Sequence, residues 1–570
     1  MEPIKHDSQS VNDMTDSIPW GVPGENLKST KTKVLNPLFP FMAVGSLIYA
    51  FFYTLFLYKN ASGITYPFFV GGTCLFFFLY LKRSGTAVKG FSIFITVSLI
   101  LLGFSTCCTD SWVLILFNKT GIFLLFFYLV LHSLYEDKRW DISKYLGAIA
   151  NVVFTGIGFI FRPFIDLTDF LDKRKEEKKN TGKSEGKGKY ILFGLLIAVP
   201  LLLVIGLLLC SADIVFLNIF DTLFSDIFTW KWGGDIWGVT GLFIFAFFAS
   251  YCILCKLTEH NIREEVQDKR TAEPLVGITF TGLISLVYLL FSAIQIIYLF
   301  AGLGSLPKGY TYAKYAREGF FQLVFVCLIN LVLVLTCMKH FRESRVLKGI
   351  LTFISLCTYI MIASSAYKML LYIQVYHLTF LRVFVLWALF VIFLLMTGTI
   401  ISIYQSEFPL VKYCILVVTV LYLIFSFAHP DYWIARYNLD HIYTEEITKN
   451  GEVSYSINEN RDFYYLKHLS MDAAPAIYSK ASEIANTLGC EPEDDHEWDL
   501  NWWLEDYSAD LLRTSYNGEI GFPLEDYHYP QKMSIRKFNF SRWTAYLYYT
   551  VYYDEHPAFA NRINGSIYLG

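Results

Sequence analysis

Eleven apolar stretches, each close to 20 residues long, leave few folds open to this chain. They fall near residues 38–58, 64–81, 91–108, 114–134, 190–210, 236–256, 277–300, 319–338, 349–367, 383–404 and 410–428. A helix of about 20 residues covers roughly 30 Å of hydrocarbon. Inside a bilayer no water is present to satisfy peptide groups. Each crossing segment must therefore satisfy its own, and a helix does so. The sequence predicts an all-α integral membrane protein with eleven transmembrane helices and a small, mostly helical extracytoplasmic C-terminal domain. The fourth stretch is interrupted by Asn118 and Lys119, so its start is expected as late as Thr120 or Gly121.

Charge gives the expected orientation. Only 17% of residues are charged, against about 25% in an ordinary soluble domain. Counted on alternate sides of the spans, Lys and Arg number 28 on the side of the N-terminus and 8 on the other. That asymmetry predicts a cytoplasmic N-terminus. An odd number of spans then puts the tail outside, and a miscount by one would reverse it. The expected organisation is a polar cytoplasmic arm (1–35), helices one to four (36–137), a cytoplasmic interfacial helix and basic linker (138–189), helices five to eleven (190–428) and an acidic domain (429–570). The polar arm and the length of the first apolar run predict an uncleaved first helix.

Residues 141–171 carry an apolar helical pattern ending near Arg162, Asp166 and Asp169, which predicts an interfacial helix or a re-entrant hairpin. The Lys-rich run from Lys173 to Lys189 reads as a solvated linker beside anionic lipid. It has no interleaved aromatics, so nucleic acid is not an expected partner. The tail holds 23 Asp and Glu against 11 Lys and Arg. Helical patterns occupy 460–470, 472–488 and Ser541–Tyr553, and Gly451–Ile457 is a candidate strand. Of 11 cysteines only Cys490 falls in the tail, so no disulfide can form within it.

Five stretches resemble a family of bacterial polytopic membrane proteins known as a domain of unknown function (numbered 4153 and 4173). They are Leu208–Phe216, Leu306–Leu323, Ile434–Leu439, Tyr465–Ala476 and Phe538–Trp543. The resemblance covers most of the chain from about residue 190. It implies a bacterial multi-pass protein with an extracytoplasmic tail, and it implies no particular chemistry.

Candidate ligand or partner residues lie where helices meet the outer surface. Tyr312, Tyr315, Arg317 and Glu318 precede the eighth span. They read as a docking site or as an interfacial anchor, with Glu318 near a helix N-terminus. Asp213 is a candidate cation ligand or a helix cap. Arg382 and Lys368 flank a short outer segment and are candidates to pair with Asp213 or Glu318. Arg436 and Asn438 are placed to fix the angle of the tail through loop backbone. Asp472, followed by Pro475, has the pattern of an N-cap. The acidic stretch Glu491–Asp499 lacks the ligand spacing of a calcium loop. Cys252 and Cys255 lie in an apolar helix and read as packing residues. No phosphate loop or hydrolase motif is present. The sequence thus gives no catalytic residue, metal or cofactor, and the expected partners are the lipid bilayer and an envelope protein or lipid. The first functional reading is a non-catalytic sensor, scaffold or envelope assembly factor. A transporter or lipid-handling protein is the second, and a membrane-embedded transferase the third.

Overall fold

The computed structural model describes residues 38–60, 62–138, 140–181, 232–259, 270–297, 320–447, 453–457, 463–488, 507, 536 and 538–555. Among these, eleven helices are long and apolar enough to cross a membrane. The chain is a multi-pass membrane protein. Four helices come first: α1 (Phe39–Leu57), α2 (Thr65–Ser84), α3 (Gly90–Cys108) and α4 (Trp112–Leu134). Two helices, α5 (Ile142–Gly156) and α6 (Arg162–Thr181), flank a short 3-10 turn. Six more apolar helices follow: α7 (Trp232–Thr258), α8 (Pro274–Gln295), α9 (Phe320–His340), α10 (Arg345–Tyr376), α11 (Phe380–Tyr404) and α12 (Leu410–Phe427). The tail contributes α13 (Pro430–Ile442), β1 (Tyr443–Ile447), β2 (Val453–Ile457), α14 (Phe463–Lys467), α15 (Ala474–Leu488) and α16 (Phe540–Glu555). The two strands pair antiparallel, with Tyr443 opposite Ile457.

The bundle has two ends, the tail end and the far end. Residues of the tail touch the C-terminal ends of α1, α3, α10 and α12 and the loops beside them. The far end gathers the opposite termini. There Thr258 of α7 meets Tyr80 of α2 and Met42 of α1, and Ala272 pairs with Phe341 beyond α9. One core is built on α1–α4 and α7, around Val70, Phe77, Leu99 and Leu254. A second lies in α9–α11, around Cys327, Met361 and Leu389. Helix α12 joins the two halves, with Tyr422 and Phe425 packed against Leu102, Leu114, Phe384 and Trp387. Close approach there needs a small residue: a Cβ on Gly398 would fall 2.3 Å from the Tyr413 ring.

Three points bear on these expectations. The fourth span starts at Trp112, well before Thr120. Asn118 does not break it because its amide is consumed inside the bundle. It donates to Ser105 Oγ (3.3 Å) and accepts from Tyr422 Oη (2.8 Å) and Ser426 Oγ (3.0 Å). The eleven candidate helices among the described residues include one at 142–159 that is not among the expected spans. The expected span at 190–210 lies outside the described residues, and the fifth apolar helix is Ile142–Phe159. Both ends of that helix sit at the far end of the bundle. Asp141 pairs with Lys339, next to the last residue of α9 (2.5 Å), and Phe159 lies under Lys256 near the last turn of α7. Between them, Tyr145 donates to Asp137, which His132 also meets. Burial opposes the Asp137 charge, but these hydrogen bonds hold its carboxyl below the usual range. Both ends of Ile142–Phe159 thus lie at the same end of the bundle. Third, α10 runs on to Tyr376, which places Lys368 inside a helix rather than in a loop.

Candidate functional site

Four chain segments converge at the tail end. The first is Thr109–Ser111, the three-residue connection between α3 and α4. The second is His429-Pro430-Asp431, where α12 gives way to α13. A left-handed His429 (φ 49°) turns the chain there, and Pro430, which lacks an N–H, opens the new helix. The third is the turn Ser470–Ala473 before α15. The fourth is Asn539–Arg542, the start of α16.

Asp472 ties them together. Its Oδ2 accepts from Thr109 Oγ1 (2.5 Å) and lies 3.4 Å from His429 Nδ1. Its Oδ1 accepts from the backbone N–H of Asp110 (2.9 Å) and from Ser541 Oγ. The Asp472 side chain is fully shielded from solvent. Two further carboxylates stand beside it. Asp431 accepts from Ser470 Oγ (2.5 Å) and from its N–H (3.3 Å). Asp110 takes Arg542 Nε at 2.6 Å. Tyr507 donates to the Ser470 carbonyl (3.4 Å). Burial, and then the charges of Asp472, Asp431 and Asp110, push its hydroxyl well above the usual phenol range.

The electrostatics follow from burial. It pushes the Asp110 carboxyl up despite Arg542, and the Asp431 carboxyl up despite Ser470. His429 is also raised, chiefly by its hydrogen bond to Asp472 and against the opposing effect of burial. The rest of the junction is held by backbone contacts. Asn539 Nδ2 donates to the carbonyls of Ser62 (3.1 Å) and Thr109 (3.0 Å). Arg536 donates to the carbonyls of Leu55 (2.9 Å) and Tyr58 (3.0 Å), which places a cation at the C-terminal end of α1. The described tail residues share a core with the bundle: Leu378, Phe380 and Val383 pack against the cluster that holds Ile434, Leu466 and Ile477.

The sequence candidates fare unevenly. Asp213, Tyr312, Tyr315, Arg317, Glu318 and the stretch Glu491–Asp499 lie outside the described residues. Asp472 is inside the junction and is not an N-cap. It lies within the 3-10 turn Met471–Ala473 that leads into α15, a turn whose own N-cap, Ser470, makes no side-chain cap bond. Arg382 is buried and donates to the carbonyls of Tyr376 (2.5 Å) and His377 while stacking on Tyr372 at 4.4 Å. It therefore closes the C-terminus of α10. Asn438 exchanges two hydrogen bonds with the backbone of Leu378, at 2.8 and 2.9 Å. Arg436 is exposed and reaches Tyr432 Oη at 3.3 Å. Asp110, His429, Asp431 and Tyr507 had no signal in the sequence, and Arg542 was marked only by the family resemblance of Phe538–Trp543. Each is a lone polar residue at a helix end or in the tail, and Asp110 is 432 residues from Arg542. Among the described residues, no three His, Cys, Asp or Glu side chains are placed to share a metal ion.

The family model described as a domain of unknown function (DUF4153) matches residues 96–479. The chain belongs to this family. The matched range runs from α3 into α15 and takes in Asp110, His429, Asp431 and Asp472. No curated protein and no solved structure matches the chain.

Proposed function

We propose that the protein is a non-catalytic membrane scaffold or sensor that works through its C-terminal segment, held outside the cytoplasm and presented to an envelope protein. The observation that carries this reading is Asp472. Its oxygens are taken by Thr109, Asp110 and Ser541. A carboxylate engaged in this way positions two parts of the chain against each other. Acid–base catalysis needs a group within reach of a substrate proton. Helix α16 adds support. It buries Ala545 and Tyr552 against the tail core and exposes Leu547, Tyr548 and Val551 on another face, at 41–54% of their full area. An apolar face of this kind suits a protein partner. The orientation in the proposal rests on the 28 to 8 sorting of Lys and Arg.

The test uses the full-length chain in intact cells. A photoreactive side chain at 547, 548 or 551 is expected to give a discrete protein adduct. The same group at Leu286 or Val287, exposed on the apolar helix α8, is expected to give none. Absence of any adduct at all three tail positions would count against a scaffold. Cys490 labelled by an impermeant thiol reagent in intact cells is the expected result for an external tail. Labelling only after the membrane is opened, but before denaturation, would place the tail inside.

A transport reading has one observation in its favour, the buried polar seam of Ser105, Asn118, Tyr422 and Ser426 just below the junction. Next to this seam the packing turns apolar, through Leu99, Leu102, Ile122 and Leu125. Solute flux in reconstituted vesicles that disappears in Asn118→Ala would promote this reading over the scaffold.

A further inference from the structure

At the far end, a shallow, solvent-open cleft lies where α9 ends, α10 begins and α11 ends. Its lower wall is apolar, formed by Leu347, Leu351 and Ile403. Its rim is cationic. Arg270 and Lys348 each stand 2.7 Å from Glu343, one on each carboxylate oxygen. Arg342 also lines the cleft, is exposed, and has no ion-pair partner among the described residues. Among the described residues that line the cleft, three cations, Arg270, Arg342 and Lys348, face one carboxylate, Glu343.

The rim is also fixed in place. Ala272 donates to the His340 carbonyl and accepts from the Arg342 N–H, both at 3.1 Å. That backbone pairing sets the Arg270 segment beside the end of α9. Helix α10 starts at the same rim, with Ser344 as its N-cap, no side-chain cap bond and no acidic residue in its first turn. Its N-terminal amides therefore add partial positive charge without a carboxylate of their own.

We propose that this cleft binds the phosphate-bearing headgroup of an anionic phospholipid. Phosphate chemistry accounts for the cations and the helix N-terminus. The apolar wall points to a lipid rather than a free anion, because a soluble phosphate has nothing to place against Leu347, Leu351 and Ile403. The neighbouring helix starts expose Leu275, Val276 and Val346, so the cleft opens beside surface suited to acyl chains.

The test is thermal unfolding of the full-length protein in neutral detergent, titrated separately with phosphatidylglycerol, phosphatidylcholine and inorganic phosphate. Phosphatidylglycerol is expected to raise the unfolding temperature in a saturable way, and the other two to leave it unchanged. Arg342→Gln removes an exposed cation that has no ion pair to lose, so it is expected to fold. It should weaken the phosphatidylglycerol midpoint about tenfold, the scale of one charged hydrogen bond. Arg83→Gln, an exposed cation at the far end of α2, should leave that midpoint unchanged. The proposal is overturned by the absence of any phosphatidylglycerol shift, by an unaltered midpoint in Arg342→Gln, or by an equal loss in Arg83→Gln. A shift produced by inorganic phosphate alone would assign the cleft to a free anion.

Discussion

At Asp110, burial and a cation compete for the same proton. Burial wins enough to raise the carboxyl even with Arg542 Nε at 2.6 Å. Removing one member of such a pair strands the other, whereas removing both is cheaper. Arg542→Ala and Asp110→Asn are each expected to lower the unfolding temperature. The double variant should lose less than the sum, with a coupling of about 1–2 kcal/mol once the partial exposure of Arg542 is discounted. Strict additivity in a thermal-shift cycle would show that the contact carries no energy. Residues of this kind are the least legible in a sequence. Asn118 reads as a break because a buried amide is costly unless satisfied, and its partner hydroxyls Tyr422 and Ser426 sit more than 300 positions away. Arg382 reads as half of an ion pair, yet carbonyl oxygens at the end of α10 satisfy it.

At the scale of elements, the contact between α13–α16 and the loops of the bundle is linked to pH. His429 is raised, so its contribution is fully present below the ordinary histidine value of about 6.5 and is lost as pH rises through its folded value. Asp110 and Asp431 are raised as well. Each therefore binds its proton more tightly in the folded chain and also favours the junction as pH falls. Asp472, Tyr507, Arg542 and Cys108 face these groups from the other elements. All three shifts have one sign. Limited proteolysis of the tail is expected to slow on going from about pH 8 to about pH 5, and His429→Gln should flatten part of that dependence. Faster cleavage at the lower pH would reverse the assignment. Helix positions were mostly readable, because an apolar run near 20 residues has only one stable backbone in lipid. Whether such a run crosses is a question of what its two ends touch, and for Ile142–Phe159 those contacts are Lys339 and Lys256.

For the whole molecule, the ends of the helices fix how the chain alternates. Helix α4 finishes at the far end and α7 starts at the tail end, where Gly238 meets Tyr58. Between them α5 and α6 keep to the far end, with Phe170 against Phe39. The span expected at 190–210 falls in the intervening stretch, outside the described residues. The prediction is that cysteines placed at Ser143 and Gly158 are labelled from the same side of the membrane, and one at Trp112 from the opposite side. Labelling of 143 and 158 from opposite sides would make α5 a crossing helix. The broad architecture was legible from hydropathy and family resemblance together. The junction was not, because it joins loops and tail residues that periodicity cannot bring together.

Arg542 is synthesised 432 residues after Asp110, the partner it meets in the junction. The loop at Thr109 and Asp110 therefore waits, with its polar groups uncompensated, until the tail that holds Asp472, Asn539 and Arg542 has been made. A prematurely terminated chain would be inserted with its bundle intact but its end unsealed, and that exposed seam gives membrane quality control a direct mark of an unfinished product.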